Sequence, residues 1–342
     1  MNGDTLLSII IPCYNCEKYI EECVLSLNPD GQPDIQIILV DDGSVDDTLA
    51  RCNALAQQHK NIEVVHTDNF GVSHARNMGL NLAKGIWIMF VDSDDTVEKN
   101  YMDTLRNGVP KEVDLIRFGI CCRYVDETGK LLKTENRTMK MFQVDSAPYK
   151  DWSFNESFKL LFHENVFDSV CGAFFEREII DTEKLRFDET VSVREDSIFM
   201  LKYAAKVKSV RYINQYLYNY RIVGNEGYHY RRAIPIDNIL KLYNEYIDFL
   251  GKRNLGEIGV QQAVDHHVFQ QLVGGVIHCA SRKYNVPLAV LLKYIKNIST
   301  EFEEMLNRIE YDNTFFKVLV DLIKNHHVLL ATIMCKLRYY KL

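Results

Sequence analysis

From Leu6 to Val91 the chain alternates short β-branched runs with amphipathic stretches, and this alternation constrains the fold more than any other feature. Leu6 to Ile11, stopped by Pro12, reads as a strand, as do Ile35 to Val40 and Ile62 to Val65. These runs are rich in β-branched residues and mostly apolar, as in buried parallel strands. Between them, Glu17 to Leu27 and Asp47 to Gln58 repeat apolar residues every three or four positions, the spacing of crossover helices. A third helix, Val72 to Ala83, leads into a strand over Ile86 to Val91. Strands and helices in this order predict an α/β class with a mostly parallel sheet and helices on both faces.

The pattern then loosens. Val113 to Arg123 and Lys130 to Lys133 predict a hairpin around Glu127-Thr128-Gly129, followed by a helix from Ser192 to Ala205 and two strands, Val210 to Ile213 and Tyr216 to Arg221. Beyond Gly224 long periodic stretches predict a C-terminal helical extension, so the expected domains are residues 1–225 and 226–342. A net charge of −7 argues against a nucleic-acid-binding face, which needs clustered Lys and Arg. Nine cysteines, an odd number at irregular spacing, fit reduced thiols better than a disulfide framework. Cys13 and Cys16 alone are a weak metal or redox signal, and Leu6 to Ile11 is too short for a signal peptide core, so a cytoplasmic location is expected.

Ligands of open parallel sheets sit beyond the carboxyl ends of the strands. There the sequence places Pro12-Cys13-Tyr14-Asn15, then Asp41-Asp42-Gly43-Ser44-Val45-Asp46-Asp47, then Asp92-Ser93-Asp94-Asp95. Two acidic clusters at one sheet edge repel each other unless a cation lies near. A divalent cation with a diphosphate satisfies both, and Mg²⁺ or Mn²⁺ takes one or two carboxylates while phosphate and water fill the other positions. Asp47 and Asp95 also have a plainer reading as helix caps.

The segments Ser8-Ile9-Ile10-Ile11-Pro12-x-Tyr14-Asn15, Val40-Asp41-Asp42-Gly43-Ser44-x-Asp46, Asn69-x-Gly71-x-Ser73-x-Ala75-Arg76-Asn77-x-Gly79 and Asp92-Ser93-Asp94-Asp95 together resemble the family 2 glycosyltransferases. The resemblance runs from about residue 6 to 221. It implies a Rossmann-like GT-A domain and an inverting transfer from a nucleotide sugar, with UDP the expected carrier, to a hydroxyl acceptor. In that reading Asp41 accepts the imide N–H of the base, Pro12 and Tyr14 line the base pocket, and Arg76 hydrogen-bonds nearby. Asn15 and Ser93 join the donor-binding set, Asp92 approaches ribose and metal, and Asp94 binds the metal. Val193-Arg194-Glu195-Asp196 resembles the family's Glu-Asp motif, which implies Asp196 as general base and Glu195 as its companion. Tyr216 to Arg221 with the segment to Arg232 resembles the strand and mobile loop in which Arg221 meets the diphosphate. Two other readings compete: a nucleotide-sugar or carbohydrate-binding protein on a degenerate transferase fold, and a nucleotidyltransferase.

The acceptor, a saccharide or lipid-linked saccharide, and the sugar transferred leave no readable code. From Phe315 to Leu342 a C-terminal helix is expected, with Phe316, Leu319, Val320, Ile323, Leu330, Ile333, Met334 and Leu337 as a broad apolar face. That segment carries five Lys or Arg against one Asp, a balance that suits peripheral contact with the inner face of a membrane, although packing on the domain or on a second copy explains it as well.

Overall fold

The computed structural model describes residues 5–107, 113–137, 149–161, 169–223, 235–279 and 286–339. It divides into two compact units, Met1–Gly227 and Tyr228–Leu342.

The first unit begins with β1 (Leu7–Cys13), α1 (Ile20–Ser26), β2 (Ile35–Asp42), α2 (Thr48–Gln58), β3 (Ile62–Thr67), α3 (Val72–Leu82) and β4 (Trp87–Phe90). All eight residues of β2 are buried, as expected of a strand covered on both faces. The strands β3, β2, β1 and β4 lie side by side in that order and all parallel. Helix α3 approaches β1 closely at Gly79, where a Cβ would stand 2.3 Å from Ile10 Cγ2.

Pro12 continues β1 rather than stopping it, paired in register with Val40. Ile10 presents its carbonyl to Val91 N–H, so Pro12, two residues on, faces the same edge. The β1–β4 ladder has ended there at Ile10 and Phe90, and the missing proline N–H costs no bond.

Beyond β4 the sheet is mixed. The elements β5 (Thr96–Val97), α4 (Asp103–Arg106), β6 (Leu115–Val125), β7 (Leu131–Arg137), β8 (Tyr149–Ser153), α5 (Phe154–Leu161), β9 (Ala173–Glu176), α6 (Arg177–Thr182), α7 (Glu195–Ala204) and β10 (Ser209–Val223) complete the unit. The sheet order is β3-β2-β1-β4-β9-β6-β10-β5, with β7 on β6 and β8 on β10. Strand β9 runs antiparallel between β4 and β6, while β6 and β10 are parallel. The hairpin predicted around Gly129 joins β6 to β7. The two strands predicted over Val210–Arg221 are one strand, β10, with register shifts on either side of Tyr216 where the sequence pattern breaks.

Neither acidic residue read as a helix cap caps with its side chain. Asp47 precedes α2 without a side-chain cap, and Asp46 Oδ1 accepts Thr48 N–H at 3.0 Å instead. Asp95 leads into β5, not a helix.

The second unit is helical: α8 (Ile236–Lys252), α9 (Ile258–Cys279), α10 (Leu288–Glu301), α11 (Glu303–Arg308), α12 (Thr314–Lys324) and α13 (Val328–Tyr339). The single C-terminal helix expected from Phe315 is two helices, separated near His326, which has a left-handed φ of 58°. This break divides the apolar face: Leu319, Val320, Ile323, Ala331 and Cys335 are buried, and Leu329, Leu330, Ile333 and Leu337 are exposed. Among the described residues no helix is long and apolar enough to cross a membrane.

Candidate functional site

Three loops are laced together at the carboxyl edge of the parallel strands. Asn15, left-handed at φ 48°, donates its N–H to Ser44 Oγ at 3.0 Å and accepts Val45 N–H at 2.9 Å. Gly43 has φ 71°, and a Cβ there would lie 2.7 Å from the backbone nitrogen of Asn69, so both conformation and space demand glycine. Both oxygens of Asp42 are taken by the loop ahead of α3, from Phe70 N–H at 2.9 Å and Gly71 N–H at 2.8 Å. Its neighbour Asp41 is fully buried and bonded at Oδ2 to His66 Nδ1 at 2.7 Å, while Oδ1 has no partner among the described residues. Pro12 is half-buried and the Tyr14 ring is exposed.

The end of β4 repeats this arrangement with different partners. Asp95 is buried, its Oδ2 accepting the Tyr218 hydroxyl at 2.6 Å and its Oδ1 accepting Arg221 N–H at 2.7 Å. Burial, with the charges of Asp92 and Asp94, raises its carboxyl well above the usual range. The Tyr218 oxygen also accepts Asp92 N–H at 3.1 Å, so one phenol from β10 holds two residues of the acidic run. Asp94 receives no hydrogen bond on its carboxylate from any other described residue; burial and Asp92 raise it, against the pull of Arg221. Ser93 is a hydrogen-bond partner of the Cys16 thiol, which Cys13 brings down to about 7 against burial, with help from Ser93 and Thr48.

Arg221 is engaged elsewhere. Its Nε donates to the Asp94 carbonyl at 2.7 Å and a terminal nitrogen to Glu22 Oε2 at 2.5 Å. The loop expected after it falls mostly outside the described residues.

Arg76 joins the strand ends to α7. It is buried, donates to Asp92 Oδ1 at 3.0 Å and to Glu195 Oε1 at 2.9 Å, and lies over the Phe187 ring at 5.3 Å. Phe187 stacks in turn on Phe199 of α7 at 4.1 Å. Burial opposes its charge, but Asp92, Glu195 and Asp196 outweigh it and hold the guanidinium protonated. Asp196 is half-buried, and its Oδ1 accepts Ser197 N–H at 2.9 Å. Burial first, then Glu195, raises its carboxyl to about 7, with Arg76 and Arg194 pulling the other way. Arg194 caps α7 with a φ of 75°, a left-handed backbone that costs an arginine on the order of 1 kcal/mol. Such strain immediately before two acidic side chains is a common mark of a working site.

The fold therefore brings Arg76, Asp92, Glu195 and Asp196 together at the acidic end of β4, with Asp94 in the same run, Asn15 after the neighbouring β1 and Asp41 at the end of β2, one strand further. Sequence reasoning missed His66, Tyr218 and Asn77. Asn77 clamps the segment before α7, accepting Phe187 N–H at 2.8 Å and donating to the Phe187 carbonyl at 3.0 Å. Its place beside Arg76 in the third motif was the available signal; for Tyr218, an aromatic in an alternating strand, there was none. A groove of about 820 Å³ lies apart from these carboxylates, lined by residues such as Lys18, Thr96 and Arg123, and borders the site through Glu22.

Residues 8–182 match the model of Glycosyl transferase family 2. The chain is 32% identical over 226 residues to glycosyltransferase GlyG of Streptococcus pneumoniae, covering 63% of this chain and 70% of GlyG. It is 27% identical over 221 residues to the minor teichoic acid biosynthesis protein GgaB of Bacillus subtilis, covering 63% of this chain and 23% of GgaB. Among solved structures, S. aureus TarS 1–349 in complex with UDP-GlcNAc superposes with a TM-score of 0.69 at 18% identity, covering 98% of this chain and 92% of TarS. At that identity the likeness is one of fold. A matched sheet, the motifs at its carboxyl edge and the family model agree on a sugar-transferring enzyme. The chain belongs to glycosyl transferase family 2.

Proposed function

We propose that this chain transfers a sugar from a UDP-sugar to a hydroxyl of a saccharide or lipid-linked saccharide, with inversion, in the synthesis of a cell-surface polysaccharide or glycolipid. The observation that carries the reading is the Arg76 bridge. Its bonds of 3.0 Å to Asp92 and 2.9 Å to Glu195 tie the acidic strand end to the helix bearing Asp196, across more than a hundred residues of sequence. Donor and base are in that way held to one geometry, as direct displacement requires.

Asp196 takes the proton from the acceptor hydroxyl as that oxygen attacks the anomeric carbon. A carboxylate raised to about 7 is suited to the task, because a base works best with a pKa near the working pH. Glu195 holds Arg76 and raises Asp196. Asp41 receives the imide N–H of uracil; what supports this is its buried Oδ1, which has no protein partner among the described residues. TarS, whose fold this chain shares, has been solved with UDP and with UDP-GlcNAc.

The donor set also fits Mg²⁺ or Mn²⁺. Among the described residues no group of three or more His, Cys, Asp or Glu could hold a metal, so the protein offers Asp94, with Asp92 beside it. These ions take that few ligands when diphosphate oxygens and water complete the shell. When bound, the ion would neutralise the departing diphosphate. Asp94 would be its main holder, since both Asp92 oxygens already have partners in Arg76 and the Cys171 thiol.

Incubation with UDP-sugars, Mn²⁺ and a saccharide acceptor library tests the reading: transfer should release UDP, form the opposite anomer by NMR, and stop in excess EDTA. UDP-sugar binding with neither transfer nor hydrolysis would favour a binding protein instead.

The second unit supports peripheral membrane contact on the cytoplasmic side. Leu329, Leu330, Ile333 and Leu337 make an exposed apolar stripe on α13 with exposed Lys324 at its approach and Lys336 within it. The protein should then co-sediment with anionic liposomes at low salt; a dimer that hides the stripe instead would show in ultracentrifugation.

A further inference from the structure

The pairing of β2 with β3 sets Asp41 opposite His66, one residue before the end of each strand. His66 Nδ1 stands 2.7 Å from Asp41 Oδ2. An ionised carboxylate only accepts hydrogen bonds, so Nδ1 carries the hydrogen. Asp41 is wholly buried, and this is its one side-chain hydrogen bond among the described residues, because Oδ1 has none. A buried carboxylate with a single donor is oriented by that donor.

A carboxylate oxygen held open to the base accepts from the N3–H of uracil or thymine and repels the bare N3 of cytosine. Resting on the reading that Asp41 meets the nucleobase, we propose that His66 is the positioning residue that sets base specificity. By donating to Oδ2 it fixes the carboxylate and leaves the other oxygen free to accept from an imide. The His66 side chain is 52% exposed, so replacing it does not open the core.

The test uses the full chain and measures UDP and CDP dissociation constants by calorimetry. The parent should prefer UDP. His66→Phe, which removes the donor, should weaken UDP about tenfold or more and reduce the UDP-over-CDP ratio by at least a similar factor. His66→Asn places an amide N–H near the position of Nδ1 and should restore the ratio to within about threefold of the parent. A purely structural histidine would weaken both nucleotides alike, so an unchanged ratio in His66→Phe overturns the proposal, as does a His66→Asn variant no better than the phenylalanine. Asp41→Asn separates the two levels. If it alters the ratio while His66→Phe does not, Asp41 meets the base and His66 has no such role; if it alters neither affinity nor ratio, the underlying reading of Asp41 fails as well.

Discussion

The ends of β2 and β4 each carry two adjacent aspartates, and in each pair the protein uses one and leaves its neighbour open. At β2, Asp42 is saturated by the N–H groups of Phe70 and Gly71, while Asp41 keeps an oxygen without a partner among the described residues. At β4, Asp95 is saturated by Tyr218 and Arg221, while Asp94 receives no bond from another described residue. The four share a residue type and a strand-end location. What separates them is whether their acceptors are already occupied; a buried acceptor left open, as Asp41 Oδ1 is, is unfavourable unless a ligand completes it. The saturated acids hold loops; the open ones are the two that the proposed function assigns to ligands.

The largest effect expected from this division belongs to Asp196, whose carboxylate accepts the N–H of its neighbour Ser197. Asp196→Asn should lower turnover by about 10² to 10⁴ while UDP binding persists, measured by UDP release and calorimetry. The base must be ionised, and its carboxyl is raised to about 7, so kcat/KM of the parent should fall about tenfold per pH unit below that value. Stability moves oppositely: a carboxyl raised by folding disfavours the native state as pH climbs from the unfolded value through about 7, so the asparagine variant should melt higher than the parent at pH 8. A variant that retains turnover within about threefold would shift the base to Glu195.

Asp94→Asn comes next. If the open acid at β4 holds the cation, losing its charge should reduce turnover by about 10² or more at limiting Mn²⁺, with partial recovery at high metal. A metal titration of turnover checks this, and a curve superimposable on the parent's would remove Asp94 from the metal site.

The parallel half of the sheet was legible because buried strands leave mostly apolar, β-branched-rich runs such as Ile35 to Val40, and the helices between them leave a clear period. The acidic strand ends were legible for the same reason, since a strand whose end is known places the next few residues at the sheet edge. The mixed half was legible only in part: the β6–β7 hairpin and α7 were read, whereas β5 has two residues and β9 four, too short to impose a pattern. The bent β10 reads as two strands because register shifts at Tyr216 interrupt its alternation. Within the site, local sequence shows which acids stand at the edge, not which are saturated. That depends on partners such as Tyr218 and Arg221, more than a hundred residues from Asp95. His66 escaped notice because its meaning lies in a cross-strand register.

The smallest effects, and the sharpest test of the division, come from the two saturated acids. Asp42→Ala leaves two backbone N–H groups without their acceptor. A lost bond of this kind costs about 1–3 kcal/mol when buried, and Phe70 is exposed enough for water to replace part of it, so a loss near the lower end is expected in chemical denaturation. Asp95→Asn should be gentler still. Burial and its acidic neighbours already push Asp95 towards its neutral form, so an amide of the same shape removes little charge. Its oxygen can still accept Arg221 N–H, and its NH₂ can donate to the Tyr218 oxygen, whose hydrogen then turns towards Cys171 Sγ, 3.4 Å away. The expected cost is under about 1 kcal/mol, with metal-dependent turnover close to the parent's. Should Asp95→Asn instead lose metal response as fully as Asp94→Asn, then saturation by protein partners does not exclude an acid from the cation site, and Asp94 and Asp95 act as one unit.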